Sequence, residues 1–351
     1  MANLFFLLSG EFESLSFSEL KAIFEAEGYA YQIVEKLDQT VRLIADIESI
    51  RQVQRRSGYT RVCALELFIC EASNQAITKA AEKTDFQKVL SEGETFEVRI
   101  RRIKEYSTKK DTMQLERKLG KHILEDAPTN RVNLKTPNKT FYGILTNHKL
   151  IFGLRLAEIQ PKPFVERRPR KKPFFHPSAM NAKLARCMVN LARPKTGETV
   201  LDPFCGTGTT ILEATLIDCK PIGVDVQRRM INGAKKNLQH FGANPEALIL
   251  ADARKLPLIS VDCVVTDPPY GKSATTLKAT TEDIVKAVLK SARALLEKGQ
   301  RICIASPKTL HIVKLGESLG FRHVESHFAY VHRTLTREVA VFQKKSELPA
   351  Q

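Results

Sequence analysis

Thr199-Val200-Leu201-Asp202-Pro203-Phe204-Cys205-Gly206-Thr207-Gly208-Thr209-Thr210 begins as an apolar strand, turns at two glycines, and continues as a helix pattern to Asp218. The same alternation repeats downstream. Pro221-Ile222-Gly223-Val224-Asp225 predicts a strand and Gln227 to His240 a helix. Leu248-Ile249-Leu250-Ala251-Asp252 and Asp262-Cys263-Val264-Val265-Thr266 predict two more strands. Strands alternating with helices imply an α/β fold with a doubly wound, mostly parallel sheet. Such sheets bind ligands at the carboxyl ends of their strands.

Three of those ends carry acidic or glycine signals in order. Gly206 and Gly208 let a ligand approach the backbone without a Cβ between them. Asp225, 19 residues beyond Gly206, is placed to accept both hydroxyls of a ribose. Asp252 is placed to accept from an adenine amino group. A dinucleotide fingerprint would need glycine or alanine where Ile211 stands, and Asp202 would face a pyrophosphate badly. An acidic entry suits a methionine ammonium and a sulfonium, so the pattern favours S-adenosylmethionine. The candidate donor contacts are His176, Pro177, Asp202, Cys205, Gly206, Thr207, Gly208, Thr209, Asp225, Val226, Asp252 and Ala253. His176 either touches the donor's methionine part or caps a helix starting near Pro177. Cys205 has no base partner in view and reads as packing.

Asp267-Pro268-Pro269-Tyr270 follows the fourth strand. It resembles the D-P-P-Y motif of methyltransferases acting on exocyclic amino groups of bases. An aromatic amine is a poor nucleophile because its lone pair is delocalised into the ring. If Asp267 accepts one N–H and the Pro268 carbonyl the other, the nitrogen rehybridises and its lone pair turns toward the donor methyl. The prolines hold that carbonyl by locking φ, and Tyr270 stacks on the extruded base. Asp267, Pro268 and Tyr270 are thus the candidate catalytic residues.

Upstream, patterns mix. Met1 to Leu8 reads as a first strand rather than a signal peptide, since it lacks a basic start and a cleavage site. Phe17 to Gly28 predicts a helix, and Val41 to Ala45 and Val62 to Ile69 predict strands, a small α+β unit over residues 1–70. Thr95 to Lys104 predicts an alternating strand, Met113 to Ile123 a helix, and Val132 to Pro137 and Lys139 to Thr146 another pair of strands. Phe96-x-Val98-Arg99-x-x-Arg102, then Glu116-Arg117-Lys118-Leu119-Gly120, then Val132-x-Leu134-Lys135-x-Pro137 resemble a THUMP domain. That resemblance implies docking of tRNA, with Arg99, Arg101, Arg102 and Lys104 as its cations. Gln160 to Pro173 holds four prolines and a net charge of +4 between Glu166 and Lys172, and predicts an extended, semi-rigid connector. Its Arg167, Arg168, Arg170, Lys171 and Lys172 are either a solvated linker surface or a second set of phosphate contacts. The resulting division is 1–70 (ferredoxin-like), 71–158 (THUMP), 159–175 (basic linker) and 176–345 (Rossmann-like class I methyltransferase domain).

Bulk properties agree. At 351 residues the chain suits two or three domains, and 43% hydrophobic residues suffice for packed cores. A net charge of +16 either keeps the protein soluble or, gathered in patches, marks a nucleic-acid binder. No tryptophan and 7% aromatics favour recognition of a folded RNA over stacking along a single strand. No apolar stretch suits a membrane helix. Seven cysteines without a C-x-x-C pair predict neither a disulfide framework nor a metal site, and a reducing cytosol. Over nearly its whole length the chain resembles the archaeal tRNA guanosine-10 methyltransferase family. The resemblance implies one or two methyl transfers to the exocyclic 2-amino group, by a monomer needing no partner subunit. The competing readings are a methyltransferase for another RNA guanosine and a non-catalytic RNA-binding protein on the same fold.

Overall fold

A computed structural model describes residues 1–104, 111–269, 280–332 and 335–345. The chain forms two compact units. One comprises Met1–Phe17, Gly28–Gln54 and Thr60–Gln160, and the other Ser18–Glu27, Arg55–Tyr59 and Pro161–Gln351.

The first unit is built on strands β1 (Ala2–Leu8), β2 (Tyr31–Leu37), β3 (Thr40–Ala45), β4 (Thr60–Glu71), β5 (Thr95–Arg102), β6 (Arg131–Val132), β7 (Lys139–Thr146) and β8 (Lys149–Glu158). They share one sheet in the order β2-β3-β1-β4-β8-β7-β5-β6. Residues 1–70 and 71–158, read from sequence as separate modules, are therefore joined through a ladder. β4 spans 12 residues, long enough to pair with β1 along its first half and with β8 from Val62 to Glu71. In chain order the helices begin with α1 (Glu13–Ala26), α2 (Ser49–Arg56), α3 (Asn74–Glu82) and α4 (Thr112–Asp126). Ile77, Phe86, Leu115, Leu119 and Ile123 pack with Phe96, Phe141 and Phe152 of the sheet to form a core. Glu116 Oε1 accepts the Ile100 N–H at 2.7 Å, so a helix carboxylate satisfies a backbone donor on β5. The strand expected over Val132 to Pro137 stops at Val132. Asn133 Oδ1 instead accepts from the Lys135 and Thr136 N–H groups, an Asx turn that competes with strand pairing.

The second unit carries α5 (Lys162–Glu166), α6 (Ala182–Leu191), α7 (Thr209–Thr215), α8 (Arg228–His240), α9 (Thr281–Leu295) and α10 (Ile312–Ser318). Its strands are β9 (Thr199–Asp202), β10 (Lys220–Asp225), β11 (Ala247–Leu250), β12 (Cys263–Thr266), β13 (Arg301–Pro307), β14 (Phe321–His332) and β15 (Leu335–Lys344). The sheet order is β11-β10-β9-β12-β13-β15-β14. The first five strands run parallel and β15 is antiparallel to both its neighbours. Leu201, Val224, Val264, Ile302, Ile304 and Phe342 face Val285, Val288 and Leu289 of α9 in a dry core. The order in which strands are added reverses between β9 and β12, and the crevice at that switch point is where an open α/β sheet takes its ligand. Among the described residues no helix is long and apolar enough to cross a membrane.

The segment expected as an extended connector is folded. Pro163 sits in the first turn of α5, where a missing N–H costs nothing, and a 3-10 turn follows at Pro169–Lys171.

Candidate active site

Both halves of the expected site stand at the switch point. β9 ends on Asp202, which is buried, and its Oδ1 accepts from Thr266 Oγ1 at 2.9 Å and from the Phe204 N–H at 3.1 Å. Burial pushes its carboxyl up to about 7, and the charge of Asp267 adds to the shift. Two carboxylates thus approach each other where β9 and β12 end.

The turn after Asp202 uses its glycines differently. Gly206 has φ +50°, and a Cβ there would meet no heavy atom closer than 3.9 Å. It borders open space, as a ligand cradle requires. Gly208 has φ +77°, and its Cβ would lie 3.1 Å from the Ala234 Cβ of α8. Gly208 is therefore needed for the turn and for helix packing as well. The threonines that follow each glycine turn inward. Thr207 and Thr209 are buried, and Thr209 Oγ1 accepts from Lys172 Nζ at 2.7 Å. Cys205 packs 3.1 Å from where a Cβ on Gly223 would stand, its thiol kept protonated by burial.

At the tip of β10, Asp225 Oδ2 accepts the Gly206 N–H at 3.1 Å and Oδ1 the Gln227 N–H at 2.8 Å. Burial raises its carboxyl while those two bonds hold it down. The next residue, Val226, is 43% exposed, an apolar surface beside the ribose-binding candidate. Asp252 is less simply placed. Arg254 takes both its oxygens, Nε to Oδ1 at 3.0 Å and Nη2 to Oδ2 at 2.5 Å, and holds the carboxyl below its ordinary range. Ala253 beside it is buried. A carboxylate for an ammonium, a second for a diol and an apolar neighbour match the parts of S-adenosylmethionine, and the open space at Gly206 leaves room for it.

His176 Nδ1 bonds Ser178 Oγ at 2.7 Å. The helix expected near Pro177 starts at Ala182, capped by Asn181 through the Lys183 N–H, so His176 braces a turn rather than a helix end. Pro177 is exposed beside it.

Asp267, Pro268 and Pro269 follow β12, with Asp267 and Pro269 partly exposed and Pro268 buried. Tyr270 lies outside the described residues. Arg337 of β15 reaches Asp267, Nη2 to Oδ2 at 2.9 Å.

Two of the five linker cations are structural. Arg167 forks onto Glu213 of α7, at 2.7 and 3.1 Å, and Glu213 is fully buried. Lys172 is buried against Thr209, and that burial pulls its amine down to about 8. A buried lysine or arginine needs a fixed partner, so both brace the donor loop, which corrects their expected role on RNA. Arg168, Arg170 and Lys171 are exposed, Lys171 paired with Glu166. In the first unit Arg99, Arg101 and Lys104 are exposed and Arg102 partly so; Arg99 bonds Glu97 and Lys104 bonds Asp38. Sequence reasoning missed Thr266, Arg337 and Asn237, and gave Lys172 a different role. Asn237 of α8 donates to the Thr207 and Phe174 carbonyls, both at 2.9 Å, and ties the segment before His176 to the donor loop. A polar residue on the buried face of the α8 pattern was the available signal. Among the described residues no group of three side chains suits a metal ion.

The family model for an RMKL-like methyltransferase domain matches residues 169–337, a span that holds the donor loop and ends on Arg337. The tRNA (guanine(10)-N2)-dimethyltransferase of Methanothermobacter thermautotrophicus is 36% identical across 96% of this chain and 98% of its own length. The chain belongs to the tRNA (guanine(10)-N2)-dimethyltransferase family. Another member, from Methanocaldococcus jannaschii, is 29% identical over 97% of this chain and 99% of its own. The crystal structure of TrmN from Thermus thermophilus shares the fold at 22% identity and a TM-score of 0.54, over 97% of this chain and 99% of that one. A DNA methylase model matches residues 65–236 and stops before Asp267. As a family member the protein is a methyltransferase, and S-adenosylmethionine is its methyl donor.

Proposed function

We propose that the protein methylates the exocyclic 2-amino group of guanosine 10 in tRNA, once and then a second time. The observation that carries this reading is Asp267-Pro268 at the switch point, one residue past the threonine bonded to Asp202, in a chain matched end to end by relatives named for that reaction. S-adenosylmethionine supplies an electrophilic methyl on a sulfonium, and transfer is a direct displacement. Asp202 binds the donor's ammonium, Asp225 its ribose, and the backbone at Gly206 its flank. Asp267 and the Pro268 carbonyl accept the two N–H groups of the guanine amine and turn its lone pair toward the methyl. Most of the rate then comes from positioning and from a carboxylate facing a nitrogen that becomes cationic. The cationic nitrogen then releases one proton to solvent and keeps one hydrogen, so the second transfer uses one acceptor where the first used two.

The basic surface of the first unit, read as THUMP-containing, docks the tRNA through Arg99 and Arg101, with Arg168 and Arg170 as further phosphate contacts. The protein works as a monomer in the cytosol.

The test is incubation of an unmodified tRNA transcript with labelled donor, followed by nucleoside analysis. Label is expected in N2-methylguanosine and N2,N2-dimethylguanosine, and absent when guanosine 10 is replaced by adenosine. Label in a methyladenosine, or undiminished in the substituted transcript, rejects the reading.

A further inference from the structure

The carboxylate that meets the amine is held from a strand far along the chain. β13 runs parallel to β12 with Ile304 opposite Thr266, and antiparallel to β15 with Pro307 opposite Arg337. A residue entering β15 therefore arrives, two strands over, near the level of a residue leaving β12. That is where Arg337 Nη2 meets Asp267 Oδ2 at 2.9 Å, with side chains only 12% and 16% exposed. A sheltered guanidinium–carboxylate pair competes less with water than a surface pair, and the contact restricts the carboxylate's rotation.

We propose that Arg337 is the positioning residue for Asp267. The inference rests on reading Asp267 as the acceptor of the amine N–H. To rehybridise the nitrogen, the carboxylate must present a lone pair in one direction, and an aspartate alone rotates about χ2. On the donor side stands Asp202, whose carboxyl feels the Asp267 charge. Repulsion between the two would swing Asp267 away from the donor. Arg337 holds Oδ2 from the β15 side and offsets that repulsion. It bonds the Asp267 carboxylate, so its proposed action is through Asp267. A second effect follows from charge. The ion pair offsets the charge of Asp267 itself, so the arginine opposes part of the field that would favour a cationic nitrogen, and its value lies in geometry.

The experiment compares R337A, R337Q and R337K with the native chain on the tRNA transcript, measuring kcat, KM for tRNA, donor Kd and Tm. A misplaced catalytic group costs on the order of 100-fold, and that fall is expected in kcat of R337A. KM and donor Kd should stay within about threefold of native if the arginine acts only through Asp267. R337Q, which keeps a hydrogen-bond donor without charge, and R337K, which keeps charge without the fork, should each recover about tenfold over R337A. A kcat for R337A within about threefold of native overturns the inference. So does a parallel loss of kcat, KM and donor affinity in all three variants, which would mark a purely structural arginine. A native enzyme that leaves the guanosine amine unmodified overturns both this inference and the function beneath it. An active native enzyme with an active R337A overturns this inference alone.

Discussion

Thr266 Oγ1 donates to Asp202 Oδ1 across 2.9 Å, so the last residue of β12 is bonded to the last residue of β9. Both are buried. Thr266 immediately precedes Asp267, and one hydroxyl therefore couples the strand tip that receives the donor to the tip that carries the amine acceptor. Thr266→Val keeps the shape and removes the bond. Leaving a buried acceptor short of its donor costs about 1–3 kcal/mol, readable as a lower Tm. It also removes a bond that favours the Asp202 carboxylate, so donor affinity should fall. An unchanged donor Kd would show that Asp202 takes no part in donor binding.

Donor binding should depend on pH. Burial lifts the Asp202 carboxyl to about 7, and only its ionised form attracts an ammonium. Affinity is expected to weaken as pH falls below that value and to level off above it, with Asp202→Asn flattening the profile. Stability of the donor-free protein moves the other way. The folded state holds this proton where the unfolded chain has lost it, so stability falls as pH rises from the ordinary carboxylate range toward 7. Calorimetric titration of the donor between pH 5.5 and 8.5, roughly the window around that midpoint, checks the first. A Tm series without donor checks the second.

The two glycines of the turn should separate binding from folding. An alanine in the left-handed region costs about 1–2 kcal/mol at either position. Gly208→Ala adds a tight contact with Ala234 and should lower Tm further than Gly206→Ala. Gly206→Ala places its methyl in open space and should weaken donor binding more than its stability loss accounts for. Equal Tm losses with equal donor affinities would reject the distinction.

The cations of residues 160–173 should divide in the same way. Glu213→Ala leaves Arg167 and Arg186 facing a missing partner in a buried setting, where breaking such a pair costs about 3–5 kcal/mol. Arg168→Ala and Arg170→Ala, at exposed positions, should leave Tm within about 0.5 kcal/mol of native. They should weaken tRNA binding and reduce its salt slope by about one each. An unaltered salt dependence would remove these arginines from the RNA surface.

Residue order alone made much of the second unit legible. The strand–turn–helix pattern around Asp202, the acidic tip at Asp225 and the fourth strand before Asp267 follow from periods of 2 and 3.6 and from glycine and proline chemistry, which act within a few residues. Local rules failed where a side chain found a different local partner. Asn133 bonded its own backbone and ended β6 two residues after it began. The connector, full of prolines, still accommodated α5 because one of them fell in a first helical turn.

What the order of residues determined by itself was the sequence of elements and the chemistry at three strand ends, because neighbouring residues impose both. Which cations belong to the protein and which face outward was decided only in three dimensions. Arg167 and Glu213 are 46 residues apart, and Arg337 meets Asp267 only because β13 lies between their strands. A basic residue looks the same in sequence whether solvent or a buried carboxylate receives its charge. Long-range strand order chooses between them.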